Sequence, residues 1–219
     1  MAVKSKARPT LDDRVRASSR ARREEDKVAL RDAIFRAAGD LLLERGFEAF
    51  SLRQVAERVG YSATTIYRYF ENKDDLVFGI VDEGFRIFGD RLRAAAGGAP
   101  EPLARLRAVG EAYVRFGLEF PVYYRLMFMQ RPDFLLTVPP GMQESRIATF
   151  RVLQGAAEEV VAAGWRRVPD ARALSDAVWA MLHGIVSLSI TVTAPVLERD
   201  ALSMLATAQD VLEAGLRSG

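Results

Sequence analysis

The chain has 219 residues, 49% of them hydrophobic, enough to bury a sizeable core in one large or two small domains. It contains no cysteine, which excludes a disulfide scaffold, a thiolate zinc site and a cysteine nucleophile. The net charge of +2 hides an asymmetry: residues 1–73 carry 16 Lys/Arg against 11 Asp/Glu, and residues 74–219 carry 15 against 18, so the first third points weakly toward a polyanion.

Residues 1–24 are polar, charged and aperiodic, and read as a disordered basic arm. They hold no apolar central region, so they do not read as a secretory signal, and a cytoplasmic location is expected. Helical periodicity begins at Leu30 and continues through Ala33, Ile34, Ala37, Ala38, Leu41 and Leu42. Gly46 suits the position after a helix. Ser51 and Gln54 have capping-box spacing and open a second helix, with Leu52, Val55, Ala56 and Val59 facing inward and Gly60 stopping it. Ser62 is placed to cap a third helix, Ala63 to Phe70. Asn72 is placed to cap a fourth that runs from Lys73 into the 90s, where Gly97-Gly98-Ala99-Pro100 breaks it.

Leu103, Leu106, Gly110, Tyr113, Val114 and Gly117 mark a fifth helix. Pro121 suits the first turn of a sixth, ending near Arg131-Pro132. The stretch LLTVPPG reads as a loop, Met142–Ala163 as a seventh helix, Asp170 to about Thr193 as an eighth and Asp200–Leu216 as a ninth. No run alternates as a half-buried strand does and no repeat is visible, so the expected class is all-α with about nine helices. Residues 177–197 form 21 residues without Asp, Glu, Lys or Arg. Length alone would allow a membrane crossing, but His183, two serines, two threonines and Pro195 argue for a helix buried on several sides, as at a subunit interface.

The segment GYSATTIYRYFENK, residues 60–73, carries the functional signal. At 100° per residue, Ile66 and Phe70 point one way, and Arg68, flanked by Thr64 and Thr65, points the other. Tyr67 and Tyr69 fall on the borders. Two short helices around a glycine turn, the second exposing Thr-Thr-Arg, form a helix-turn-helix arrangement. Such a helix fits the DNA major groove, where arginine donates to guanine and threonine meets a base edge, a thymine methyl or a phosphate. Tyr67, Lys73 and free backbone N–H groups at helix starts would reach phosphates. The plainer reading is a three-helix packing with a solvated arginine.

Residues 28–83 resemble the N-terminal DNA-binding domain of TetR-family transcriptional regulators, through FRAAGDLLLERGFEAFSLRQVAERVGYSATTIYRYFENKDDL. Tyr61 stands where a small aliphatic residue is usual, and Ser62-Ala63-Thr64 replaces a commoner Ser-Lys-Gly. The resemblance implies DNA contacts at Ser51, Arg53, Ala63, Thr64, Thr65, Tyr67, Arg68, Tyr69 and Lys73. Ala63 has no donor and would read at most by shape or a methyl contact. The expected organisation is the arm at 1–24, a helix-turn-helix domain at 25–73 connected by helix four (73–96), and an effector-binding and dimerisation domain at 74–219.

In the C-terminal part, YVRFGLEFPVYYRLMF and VWAMLHGIVSL resemble a TetR subfamily named for a Trp-His-Gly signature, here Trp179, His183 and Gly184. That resemblance implies a small-molecule effector and a homodimer formed through the last two helices. Phe88, Tyr113, Phe116, Tyr124, Met127, Phe128, Trp179 and His183 are candidates to line an apolar pocket with a few polar tips, although aromatics and methionines at helical spacing also make ordinary core. A lone histidine on an apolar helix fits a hydrogen-bonded core residue better than a catalyst or metal ligand.

The expected function is a ligand-responsive repressor that binds a near-palindromic operator in double-stranded DNA as a homodimer. No cofactor or metal is called for. One histidine, no phosphate-cradling glycine loop, no paired metal-ligand motif and no serine elbow argue against an enzyme. A helical enzyme and a membrane-associated helical scaffold built around residues 177–197 are the alternatives.

Overall fold

The computed structural model describes residues 11–129, 140–165, 170–192 and 200–217. Among them are nine α-helices and no strand: α1 Leu11–Ala49, α2 Leu52–Val59, α3 Ala63–Tyr67, α4 Lys73–Gly98, α5 Pro102–Glu119, α6 Pro121–Phe128, α7 Pro140–Ala162, α8 Ala171–Thr191 and α9 Ala201–Arg217. The all-α expectation is met. The chain divides into two compact units, Met1–Val77 and Phe78–Gly219, and α4 is the element that runs from one into the other.

In the first unit, the expected inward stripe of α1 is found: Ile34, Ala37, Ala38, Leu41 and Leu42 are buried, joined by Phe35. Gly46 interrupts the helix with φ 76° and ψ 167°, a conformation that side-chain-bearing residues rarely adopt. The start of α1 corrects the sequence reading. Residues 11–24, expected to be disordered, form its first turns, while residues 1–10 lie outside the described residues. Ala, Arg and Glu are good helix formers, and extending an existing helix carries no nucleation cost. Helix α2 has both halves of its capping box: Gln54 N–H donates to Ser51 Oγ at 3.4 Å, and Ser51 N–H donates to Gln54 Oε1 at 2.8 Å. It ends at Gly60 in the left-handed conformation, φ 74° and ψ 27°.

The second unit is organised on α5, which packs against α6, α7, α8 and α9. Asp170 caps α8 by accepting from Ala173 N–H at 2.8 Å. Asp200 caps α9 by accepting from the N–H groups of Leu202 and Ser203 at 2.9 and 3.0 Å. Helix α6 ends at Phe128 rather than near Arg131-Pro132, and α7 opens at Pro140, so the last two residues of the stretch read as a loop are helical. Residues 130–139 lie outside the described residues, as do residues 193–199, into which the 177–197 run extends. Helix α8 is long and apolar enough to cross a membrane by length and composition, with 33% of its apolar window buried. Arg107 joins α5 to α9 through Asp210 at 2.9 Å and Glu213 at 3.1 Å.

Gly117 lies where α5 packs against Val186 of α8. A Cβ there would overlap Val186 Cγ1 and lie 3.0 Å from Val186 Cγ2 and 3.2 Å from Tyr124 Cδ2. Because these are buried atoms of a packed core, Gly117→Ala should destabilise the chain by about 1–3 kcal/mol, read as a lower melting temperature in circular dichroism. An unchanged melting temperature would mean that α5 and α8 part without cost.

Candidate functional site

Helix α3 is a five-residue helix, shorter than the expected Ala63–Phe70, and it is held at both ends. Ser62 Oγ accepts from Thr65 N–H at 3.2 Å and shares a hydrogen bond with Thr65 Oγ1 at 2.9 Å. Past Tyr67 the chain tightens: Tyr69 and Phe70 N–H both donate to Ile66 O, at 2.9 and 3.1 Å. Ile66 is fully buried and Phe70 is 7% exposed, its ring 5.7 Å from that of Phe35 on α1. The expected division of the segment is therefore present. Thr64 and Arg68 are exposed, Tyr67 is 50% exposed, and Ala63, Thr65 and Tyr69 are half-buried.

Existing partners sort the expected DNA-contact residues into two sets. Arg53, Thr64, Tyr67 and Arg68 are exposed and have no side-chain hydrogen bond or ion pair among the described residues. Ser51 is engaged in the α2 cap and Thr65 in the α3 cap. Lys73 is also engaged: its Nζ donates to Phe47 O at 3.0 Å, lies 4.3 Å from the Phe47 ring centroid and stands 3.8 Å from Glu48 Oε2. This lysine ties the segment after Gly46 to the start of α4. That helix is capped by Asn72, whose Oδ1 accepts from Asp75 N–H at 2.8 Å. Arg58 clamps α2 to α1 through a bidentate pair with Glu44, both contacts 2.9 Å.

In the second unit the candidate effector residues converge. Phe88, Tyr113, Phe116, Tyr124 and Met127 are at most 2% exposed. The Phe128 ring lies 4.9 Å from Tyr124, 5.9 Å from Phe88 and 6.2 Å from His183. A hydrogen-bonded chain crosses the cluster, with Tyr113 Oη 3.0 Å from Tyr124 Oη and Tyr124 Oη 2.7 Å from His183 Nδ1. Burial pushes the Tyr113 phenol up to about 12, raises that of Tyr124 and lowers the His183 imidazole below 6.5. Neutral forms are thereby favoured throughout the chain. Trp179 shares a face with His183, ring centroids 6.3 Å apart, but is 37% exposed. With Phe150 it lines an open cavity of about 250 Å³ between α7 and α8, together with Leu153, Gln154, Ser175 and the Arg172–Asp176 pair.

Residues 34–80 match the bacterial regulatory proteins of the tetR family, and residues 106–212 match the tetracyclin repressor-like C-terminal domain. Together the two matches cover well over half of the chain. The chain belongs to the TetR family. Members of this family are DNA-binding transcriptional regulators rather than enzymes. Several solved structures share the fold. The fatty acid degradation regulator FadR from Bacillus halodurans gives a TM-score of 0.71 at 19% identity, over 85% of this chain and 96% of that one. The TetR-family regulator PfmR from Thermus thermophilus gives 0.69 at 22% identity, over 84% and 98%. A tetR-family protein from Rhodococcus RHA1 gives 0.70 at 20% identity, over 85% and 95%.

The sequence reading of this TetR-family chain missed Arg146. It is 4% exposed, and none of its three guanidinium nitrogens has a hydrogen-bond partner among the described residues. Its Cζ lies 5.3 Å from the Phe85 ring centroid. Burial pushes its pKa down, and the Asp82 carboxylate acts in the opposite direction. The signal was the α7 periodicity: Leu153 and Phe150 define an inward face that, stepped back toward the N-terminus, meets Arg146. A buried guanidinium without hydrogen bonds carries a penalty of roughly several kcal/mol.

The lowered His183 pKa has a consequence for stability. The unfolded chain takes up a proton near 6.5 while the folded chain resists it, so the contribution is present above that pH and is lost as pH falls below it. The melting temperature should therefore drop between pH 7 and pH 5, and His183→Gln, which cannot titrate, should make that drop shallower. An equal slope in the variant would assign the acid sensitivity to other groups.

Proposed function

We propose that the protein is a ligand-responsive transcriptional repressor, cytoplasmic, acting as a homodimer on a near-palindromic operator and released by a small, largely apolar effector. The observation that carries the reading is the outward display of Thr64, Tyr67 and Arg68 from α3, uncommitted to any partner among the described residues, while Ile66 and Phe70 anchor the helix from behind. Arg68 and Arg53 supply charge-assisted donors for base edges or phosphates, and Thr64 and Tyr67 supply hydroxyls. Ser51, Thr65 and Lys73 act first as the frame that positions these groups, and each retains hydrogen-bonding capacity for a phosphate. Ala63 and Tyr69 complete the contact surface by shape.

The homodimer reading rests on α8 and α9. Ala177, Ala180, Leu188 and Thr191 on α8, and Ala206, Val211 and Ala214 on α9, are exposed and uncharged. Small side chains of this kind let a second copy approach closely, and a two-fold dimer matches an operator with two half-sites. The Trp179-His183-Gly184 signature supports placing the C-terminal unit in the subfamily named for it. The cavity beside Trp179 and Phe150 supports a small, largely apolar effector.

Binding of source-genome fragments to the purified protein tests the reading, with recovered sites expected to be near-palindromic and affinity to fall steeply with salt. On the recovered operator, Arg68→Ala should cost about 1–3 kcal/mol and relax specificity at one base pair. An equal loss on all sequences would reassign Arg68 to the phosphate backbone. Recovery of no fragment above background would remove the operator-binding reading.

A further inference from the structure

Arg146 has no place in DNA reading and no hydrogen-bond partner among the described residues. It sits on the inward face of α7, against Asp82 and Phe85 of α4. The ring beside it, Phe85, stands edge-on to Phe128 at 5.6 Å and lies 6.4 Å from Phe150. Phe128 in turn contacts Tyr124 of the phenol–imidazole chain. A charged fork is therefore buried against an aromatic wall, with Nε and both terminal nitrogens without hydrogen bonds. Asp82 acts on it through space without a hydrogen bond to it.

We propose that Arg146 anchors a carboxylate-binding subsite. The effector is an organic monocarboxylate whose charged end pairs with the guanidinium and whose apolar body lies along Phe85, Phe128 and Phe150. The proposal rests on the effector reading above and gives that effector a chemical class. A planar guanidinium presents parallel donors that match the two oxygens of a carboxylate, and such bidentate pairs are the strong ones. A neutral ligand would offer the guanidinium no charge-assisted acceptor, and a cationic ligand would offer it no acceptor and add repulsion. A phosphate dianion would bring a second negative charge into an aromatic setting that offers one cation. A monocarboxylate supplies acceptors for the unbonded nitrogens and leaves an apolar remainder for the rings.

The test uses the full-length chain and matched probes: octanoate, 1-octanol and octylamine, and 4-phenylbutyrate with 4-phenylbutanol. Affinity is read by tryptophan fluorescence, since Trp179 lies 5.4 Å from Phe150 between ring centroids, and by thermal shift. The carboxylates should bind at least tenfold more tightly than the alcohols, and octylamine should bind weakest. Arg146→Met should lower carboxylate affinity at least tenfold and leave alcohol affinity within twofold. Without ligand, the same variant should melt higher than the parent, because it removes a buried guanidinium that makes no hydrogen bond. Where the methionine variant folds poorly, Arg146→Lys serves instead: it keeps the charge, loses the fork and should fall between the two. Alcohols that match the carboxylates, an unchanged carboxylate affinity in the variants, or no carboxylate binding at all would overturn the subsite. The effector reading is judged separately, by release of operator fragments with extracts of the source cells. Release by a neutral fraction, without any carboxylate response, would sink the subsite and keep the effector.

Discussion

A five-residue helix has no stability of its own, because nucleation fixes several residues before the first hydrogen bond repays them. The reading head depends on overcoming that limit at α3. Two side chains do most of it: Ile66 and Phe70 are buried against the core built by α1 and α2, and they fix the rotation of the helix about its axis. Ser62 and Gly60 fix where it starts. The outward direction of Arg68 and Thr64 is then a result of what is buried behind them. A polar surface on so short an element is specified from its apolar side.

The second unit is under a different constraint. Polar groups taken into an aromatic core must find partners or carry a large penalty. The Tyr113–Tyr124–His183 chain meets this rule by staying neutral and bonding internally. Arg146, a few rings away, does not meet it. Both lie in one apolar setting, so the environment by itself does not explain the difference. A satisfied polar chain specifies one arrangement of the core, whereas an unsatisfied ion leaves an interaction to be completed.

Much of this was legible in the sequence, and what was not has physical reasons. The 3.6-residue period exposed α5, α8 and α9 closely, because each buries a continuous stripe. The caps at Ser51, Ser62, Asn72, Asp170 and Asp200 were readable because capping chemistry is local. The first turns of α1 were not, since residues 18–29 are all exposed and a helix that buries nothing shows no stripe. The sequence pattern ends α3 three residues late, since Phe70 continues the apolar spacing through a turn that only the doubled hydrogen bonding at Ile66 O reveals. Within the site, outward direction was readable from angle alone. Prior commitment was not: Lys73 bonds to a carbonyl 26 residues earlier in the chain, a long-range pairing that spacing does not encode.

The same distinction bears on the ligand response proposed above. A ligand shifts an equilibrium only by its difference in affinity between two states, however tightly it binds. Contacts with the aromatic rings alone are non-directional and survive small rearrangements, so they discriminate poorly between states. A charge pair inside the core is sharper, because its strength depends on distance and on exclusion of water. Arg146 faces α4, the one helix that begins in the first unit and continues through the second. On the subsite proposed above, a ligand that satisfies that ion would favour whichever placement of α4 encloses the pair.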